Sequence, residues 1–192
     1  MIRRLYDWTI SLAASPYALW ALAVVAFVES SVFPIPPDIL MIPMIIAAPR
    51  RAFLIAGVCT VSSVLGGMLG YYIGYGLFES VGRPVLEFYG KDAYFDEFRG
   101  RYNEWGAWAV LIAGITPFPY KVITILSGAT GLNLAVFTVA SIIARGLRFF
   151  VVAALLWRFG APIRDFIERR LGLMFTLFVV LLLGGFLVVK YL

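Results

Sequence analysis

The chain has 192 residues, of which 62% are hydrophobic and 16% aromatic, and its formal net charge is +5. This composition lies outside the soluble globular range and predicts one α-helical domain that crosses a membrane several times. The sequence has no histidine and a single cysteine, Cys59, which excludes histidine chemistry and an intrachain disulfide. We therefore expect no metal and no cofactor. Nucleic acid is not an expected partner, because the basic residues lie mostly between apolar runs.

Residues 1–16 open the chain with Arg3 and Arg4, followed by an apolar run that Asp7 and Trp8 interrupt. A much longer hydrophobic stretch comes directly after this run. The pattern favours a short helix at the membrane interface over a cleaved signal peptide.

Residues 17–48 form an apolar run that is interrupted in its middle by the segment ESSVFPIPPD. Proline removes a backbone donor and moves the preceding residue out of the helical conformation. Pro34, Pro36 and Pro37 therefore predict a helix break where hydropathy places the chain in lipid. Each half is shorter than the about 20 residues that a span needs, so the two halves form either one broken span or a re-entrant hairpin. The prolines in the middle favour the hairpin.

Residues 52–78 are long and apolar enough for a complete span. Within it Gly66, Gly70 and Gly74 follow one another at four-residue steps and so share one helix face. Small residues at this spacing allow another backbone to come close. We interpret the three glycines as a packing surface.

The most polar stretch of the chain follows, and it contains an amphipathic pattern at residues 84–105. Phe95, Phe98 and Tyr102 recur at three- and four-residue steps among charged side chains. This spacing predicts an amphipathic helix that lies on the membrane surface with a solvated charged face.

Residues 107–128 repeat the pattern of the first broken segment, with Pro117 and Pro119 in the sequence TPFPYK. Two proline-broken apolar segments in corresponding halves of a chain indicate a pair of re-entrant hairpins related as an inverted repeat. The alternative is that the two segments are unrelated proline kinks.

Two further spans are predicted at residues 131–159 and 171–192. The first of these carries Arg145 and Arg148 near its middle. Arginine at that depth persists only where it faces a partner or water, and a step of three residues places both on one face.

The charged candidates for a site at membrane depth are two acids and three bases. They are Glu29, Asp38, Lys121, Arg145 and Arg148. If they converge, the acids are paired and one cation is left over for an anionic group such as a lipid phosphate. A desolvated carboxylate is also a candidate proton carrier. One alternative is that these charges only tie the broken segments together. Another is a lipid phosphatase, but the sequence has no candidate for the activated nucleophile that such an enzyme would need.

Four motifs together resemble the DedA family of bacterial inner-membrane proteins, also called the SNARE-associated or VTT-domain superfamily, and most closely its short YqaA-type branch. They are ESSVFPIPPD, the glycine helix GGMLGYYIGYG, the second loop ITPFPYKVITILSGATGLN and the arginine helix. The similarity covers roughly residues 27–160. It implies two facing hairpins and movement of undecaprenyl phosphate or phospholipids between leaflets, with dependence on the proton gradient. Glu29 and Asp38 match the essential acidic pair of the family.

The second loop departs from the family pattern, in which many members carry two arginines around the proline. Here Ile115 or Thr116 replaces the first arginine, and Lys121 stands near the second. Lysine is a point charge without the bidentate fork of arginine. The identity of the lipid is therefore not carried over from the family, and Arg145 or Arg148 could compensate.

We thus predict an all-α polytopic membrane protein with two facing re-entrant hairpins, located in the bacterial inner membrane. The predicted function is transport of a phospholipid or polyprenyl phosphate, coupled to protons, and no enzymatic activity is expected. The alternatives are a proton-coupled antiporter for small ions or drugs and a membrane organising protein without transport. The expected partners are membrane lipids and protons. The sequence does not decide whether the chain also forms a homo-oligomer.

Overall fold

The computed structural model describes residues 17–32, 36–90, 92–116, 118–160 and residue 162. Within these residues the chain forms seven α-helices and no β-strand. The helices are α1 (Ala18–Ser31), α2 (Asp38–Ala47), α3 (Ala52–Leu77), α4 (Arg83–Phe88), α5 (Asp92–Ile115), α6 (Tyr120–Ala129) and α7 (Leu134–Gly160). A 3-10 turn precedes α3 and a π-helical turn, Phe78–Gly82, joins α3 to α4. The predicted interfacial helix at 1–16 and the predicted span at 171–192 lie outside the described residues.

Two helical stretches of the described chain are long and apolar enough to cross a membrane. They are Pro49–Phe88, with 40 residues, and Leu134–Gly160, with 27 residues, and α1 and α2 are shorter apolar helices. At about 1.5 Å per residue the first stretch is about 60 Å long, twice the thickness of the hydrocarbon core. Its polar C-terminal part therefore extends beyond the core. The predicted all-α membrane protein is confirmed, and the re-entrant course of the broken segments stays a prediction.

The structure divides the middle of the chain differently from the sequence pattern. The prediction separated a surface helix at 84–105 from a broken apolar segment at 107–128. In the structure α5 continues without interruption through Gly106, where the side chain of Leu132 occupies the space that a Cβ would take. The turn lies earlier, between α4 and α5, where Gly90 has a φ of 61° that favours glycine. The charged and the apolar half of α5 are thus one rigid helix.

The three glycines at four-residue steps lie on the face of α3 that contacts α1 and α6. A Cβ at Gly66 would overlap the backbone of α1, and a Cβ at Gly74 would overlap the backbone of α6. Gly70 lies between them and faces the side chain of Thr124. Gly128 of α6 faces the backbone of α3 in return. The three helices therefore pack backbone against backbone, which side chains at these positions would prevent.

In the part of the chain that the structure describes, the apolar core consists of two clusters that are separated by a polar layer. The first cluster joins α1, α2, α3 and one half of α7, and the second joins α3, α5, α6 and the other half of α7. Along α7 the second cluster ends at Ala140 and the first begins at Phe149. The interval between them contains the buried polar side chains of Ser141 and Arg145. The core is thus interrupted at the level where the functional candidates lie.

Candidate functional site at the two helix breaks

Arg145, near the middle of α7, contacts residues on both sides of the molecule where helices are broken. Its Nη2 donates a hydrogen bond to Oε2 of Glu29 at 3.0 Å. Its guanidinium carbon lies 4.7 Å from the ring centroid of Tyr120. Glu29 stands just before the first break, and Tyr120 is the first residue after the second break. One arginine therefore connects the two predicted proline loops.

The surroundings of Arg145 form a closed ring of hydrogen bonds. Its Nε donates to the hydroxyl of Ser63 at 2.6 Å, and that hydroxyl shares a 2.6 Å hydrogen bond with Ser30. The hydroxyl of Ser30 donates to Oε2 of Glu29 at 3.1 Å, which returns the ring to the carboxylate. The Arg145 side chain is only 1% exposed. A charge can be buried to this extent because it is both paired and hydrogen-bonded.

Arg148, one turn further along α7, also joins the two breaks. Its Nη2 donates to Oδ2 of Asp38 at 2.8 Å, and its Nη1 donates to the carbonyl of Thr116 at 3.2 Å. Asp38 is the first residue of α2, after the first break, and Thr116 directly follows α5, at the second break. This pair is more open than the other, with side chains 24% and 21% exposed.

Lys121, the third cationic candidate, stands in the first turn of α6 and is partly buried. Its ammonium group has no hydrogen bond or ion pair with the residues that the structure describes. The tally of two acids and three bases thus resolves into two arginine–carboxylate pairs and one lysine. The cation that was expected to be left over is Lys121.

The prolines of the two loops lie at the starts of helices. Pro37 is buried and precedes α2 with its carbonyl accepting from Leu40 and Met41, while Pro36 stands one residue earlier. Pro119 precedes α6 and has an extended conformation, with φ of −61° and ψ of 101°. Pro34 and Pro117 lie outside the described residues.

Sequence reasoning missed the residues that support the arginines. Ser63 and Ser30 complete the hydrogen-bonded ring around Arg145, and Tyr120 covers its guanidinium. The carbonyl of Thr116 is a backbone group, which no side-chain pattern indicates. A usable signal existed for Ser63, because it is a polar residue in the middle of an apolar span, where a hydroxyl needs a partner.

The charged groups of this site form two arginine–carboxylate pairs. Arginine offers planar donors that suit carboxylate or phosphate equally well, and an exchange of one for the other needs no covalent step. In the described part of the chain, no group of three acidic or cysteine side chains is placed so that it could hold a metal ion.

Comparison with known proteins yields one family and two relatives. Residues 35–158 match the VTT domain. The chain is 33% identical over 168 residues to an uncharacterized protein of Haemophilus influenzae, an alignment that covers 85% of this chain and 87% of the relative. It is 35% identical over 168 residues to an uncharacterized protein of Histophilus somni, with the same coverage of 85% and 87%. No solved structure matches the chain.

Proposed function

Because the chain belongs to the VTT-domain family of membrane proteins, we propose that it moves an anionic lipid headgroup across the bacterial inner membrane through the site at the two helix breaks. The resemblance to the DedA family that the sequence motifs indicated is thereby confirmed, and the assignment to its YqaA-type branch stays a prediction. The proposed substrates are a phospholipid or a polyprenyl phosphate. The proposed activity is transport rather than enzymatic conversion.

The observation that carries the proposal is the charge balance of the site. Both carboxylates are held by arginines of α7, so Lys121 is left as a cation without a described partner. Since Arg145 and Arg148 lie near the middle of a helix that is long enough to span, the carboxylates lie at the same depth. Lys121 follows the second break, whose Thr116 carbonyl accepts a hydrogen bond from Arg148, and an uncompensated cation near that depth is costly. A phosphate that enters the site would compensate it, and the N-terminus of α6 would add a favourable dipole.

The packing of the first broken segment supports a hairpin that returns to the side where it entered. Ala18 and Leu22, near the start of α1, share an apolar cluster with Ile45, near the end of α2, and with Ala52 at the start of α3. The beginning and the end of the segment therefore lie at the same end of the bundle. In such a hairpin Glu29 and Asp38 stand on either side of the break, and broken backbone at membrane depth is tolerated where protein or a water-filled cavity covers it.

The second broken segment has a comparable arrangement. The hydroxyl of Tyr102 in α5 shares a 2.9 Å hydrogen bond with that of Ser127 in α6, on the opposite side of the break. Both Arg99 and Asn103 of α5 donate to the carbonyl of Thr130 at the end of α6. Helix α6 thus returns along α5. Two such hairpins that meet at their turns would give a headgroup a polar path through the middle of the membrane.

In the proposed cycle Glu29 and Asp38 hold the arginines while no lipid is bound. When a phosphate engages an arginine, the carboxylate that is released becomes free to take up a proton, which would couple transport to the proton gradient.

The test is a headgroup-accessibility assay in proteoliposomes, with a fluorescent phospholipid and a labelled polyprenyl phosphate in parallel vesicles. We expect the wild type to move at least one of them and Lys121→Ala to lose most of that rate. The matched control is Arg101→Ala, which removes a mostly exposed arginine from the charged half of α5 and should leave the rate unchanged. If neither lipid moves under an imposed pH gradient while the same vesicles pass small ions or drugs, the antiporter alternative replaces the proposal.

A further inference from the structure

We infer that the two ion pairs have different tasks: the Arg148–Asp38 pair opens to exchange its carboxylate for the phosphate of the substrate, and the Arg145–Glu29 pair stays closed as a fixed support. The inference rests on the proposed function and deepens it, since it names the arginine that meets the headgroup. It also revises the expectation that Arg145 binds phosphate directly.

The first argument is access to the two guanidinium groups. Arg145 is 1% exposed, and its guanidinium lies within 4.7 Å of the ring centroids of both Tyr120 and Phe149. Its Nε is occupied by Ser63 and its Nη2 by Glu29. A phosphate could reach it only if aromatic rings and the hydrogen-bonded ring of serines moved apart. Arg148 is 24% exposed and is held by one carboxylate and one carbonyl.

The second argument is the position of each carboxylate on its helix. Asp38 is the first residue of the ten-residue helix α2, where the positive end of the helix dipole stabilises a carboxylate that has lost its arginine. Glu29 is the third residue from the end of α1, where the dipole is unfavourable for a negative charge. Glu29 therefore depends on Arg145 far more than Asp38 depends on Arg148. Only the Arg148–Asp38 pair can separate without leaving a poorly stabilised carboxylate.

The third argument is what each arginine connects. Arg148 binds Asp38 from one break and the carbonyl of Thr116 from the other, so its release uncouples the two loops. Arg145, through Ser63 and Glu29, ties α7 to the helices α3 and α1, which are packed backbone against backbone at Gly66. Opening of the Arg148 connection leaves the bundle intact, whereas opening of the Arg145 connection would disrupt it.

Competition for Arg148 has a consequence that a structural role would not produce. If Asp38 and phosphate bind the same guanidinium in turn, removal of the carboxylate strengthens phosphate binding even where transport fails. The corresponding change at Glu29 removes no competitor. Asp38→Asn and Glu29→Gln are therefore a matched pair of neutralised acids with different expected results.

The experiment measures binding of a short-chain phosphatidic acid to the purified full chain in phosphatidylcholine nanodiscs, with inorganic phosphate titrated in parallel. We expect Asp38→Asn to bind phosphatidic acid about tenfold more tightly than wild type, and Glu29→Gln to stay within about twofold. Arg148→Gln should bind at least about tenfold more weakly. Because Arg145→Gln alone leaves the Glu29 carboxylate without its counter-charge and destabilises the fold, the arginines are tested in the neutral double variants Glu29→Gln/Arg145→Gln and Asp38→Asn/Arg148→Gln. The first double variant should bind phosphatidic acid and the second should not.

The inference is overturned if Glu29→Gln tightens binding as much as Asp38→Asn does, or if the Glu29→Gln/Arg145→Gln protein folds and no longer binds. If inorganic phosphate binds as tightly as phosphatidic acid and with the same pattern among the variants, the exchange at Arg148 is supported, but its ligand is free phosphate instead of a lipid headgroup. The same variants are assayed for lipid movement. If the binding pattern holds and no lipid moves, transport is refuted and the inference stands. If lipid moves but Asp38→Asn and Glu29→Gln bind phosphatidic acid alike, transport stands and the inference is refuted.

Discussion

The ion pairs among the described residues fall into two groups that share their chemistry and differ in exposure and in the distance along the chain between their partners. Arg83–Glu79 and Arg101–Glu97 each join residues four apart on one helical stretch, and their side chains are largely exposed. Arg145–Glu29 and Arg148–Asp38 join residues that are 116 and 110 positions apart, and both pairs lie between packed helices.

The difference between the two groups shows where an ion pair can determine structure. An exposed pair gains little, because water solvates both ions well and salt screens their attraction. A pair with a fully buried member, such as Arg145–Glu29, is required once its helices have formed, since removal of one partner leaves a charge that water solvates poorly. The long-range pairs therefore constrain how the two broken segments meet, whereas the local pairs lie on the surface and contribute little to the tertiary structure.

The largest effect is expected for Arg145→Gln, which leaves the partly buried Glu29 carboxylate without its counter-charge. We expect a loss of about 3–5 kcal/mol in the free energy of unfolding, measured by reversible unfolding in mixed micelles. The double variant Glu29→Gln/Arg145→Gln removes both charges and should recover most of this loss. If the single variant is as stable as wild type, the comparison between buried and exposed pairs fails at its strongest point.

A smaller effect is expected from a change that carries no charge. Gly66 packs against the backbone of Phe27, two residues before Glu29, so Gly66→Ala forces α1 away from α3 and loosens the Arg145–Glu29 pair. Overpacking of this kind costs about 1–3 kcal/mol, which the same unfolding measurement would detect.

The matched control is Gly57→Ala in the same helix, where a Cβ would meet nothing within 4 Å. Because alanine is the better helix former, this variant should be neutral or slightly more stable than wild type. Equal losses at the two positions would show that the effect comes from the helix itself and not from the close approach of α1.

Much of the architecture follows from local sequence features. Proline ends helices by its own geometry, so the interruptions after α1 and after α5 could be placed from the sequence. The step of four residues between glycines likewise identifies one face of α3 before any partner is known. The charge tally also anticipated that one base would lack an acid, because electroneutrality does not depend on which residues pair.

Other features depend on contacts between distant parts of the chain and could not be predicted. Helix α5 continues through Gly106, where Leu132 fills the space that a side chain would take, and nothing near Gly106 in the sequence indicates this contact. The choice of partners for Arg145 and Arg148 likewise depends on how α1 and α2 lie against α7. Ser63 acquires its role only because Arg145 is brought beside it.

The smallest effect is expected for Glu97→Gln, which breaks the exposed pair with Arg101 on α5. Water solvates the released guanidinium as well as the carboxylate did, so the free energy of unfolding should change by less than about 1 kcal/mol. Raising the salt concentration should reduce even that difference, because the Debye length falls to about 3 Å at 1 M, whereas the loss caused by Arg145→Gln should persist. The measurement is unfolding of both variants at low and high salt. A salt-sensitive Arg145 variant would mean that water reaches this arginine, and the distinction between the two groups of ion pairs would then be one of degree.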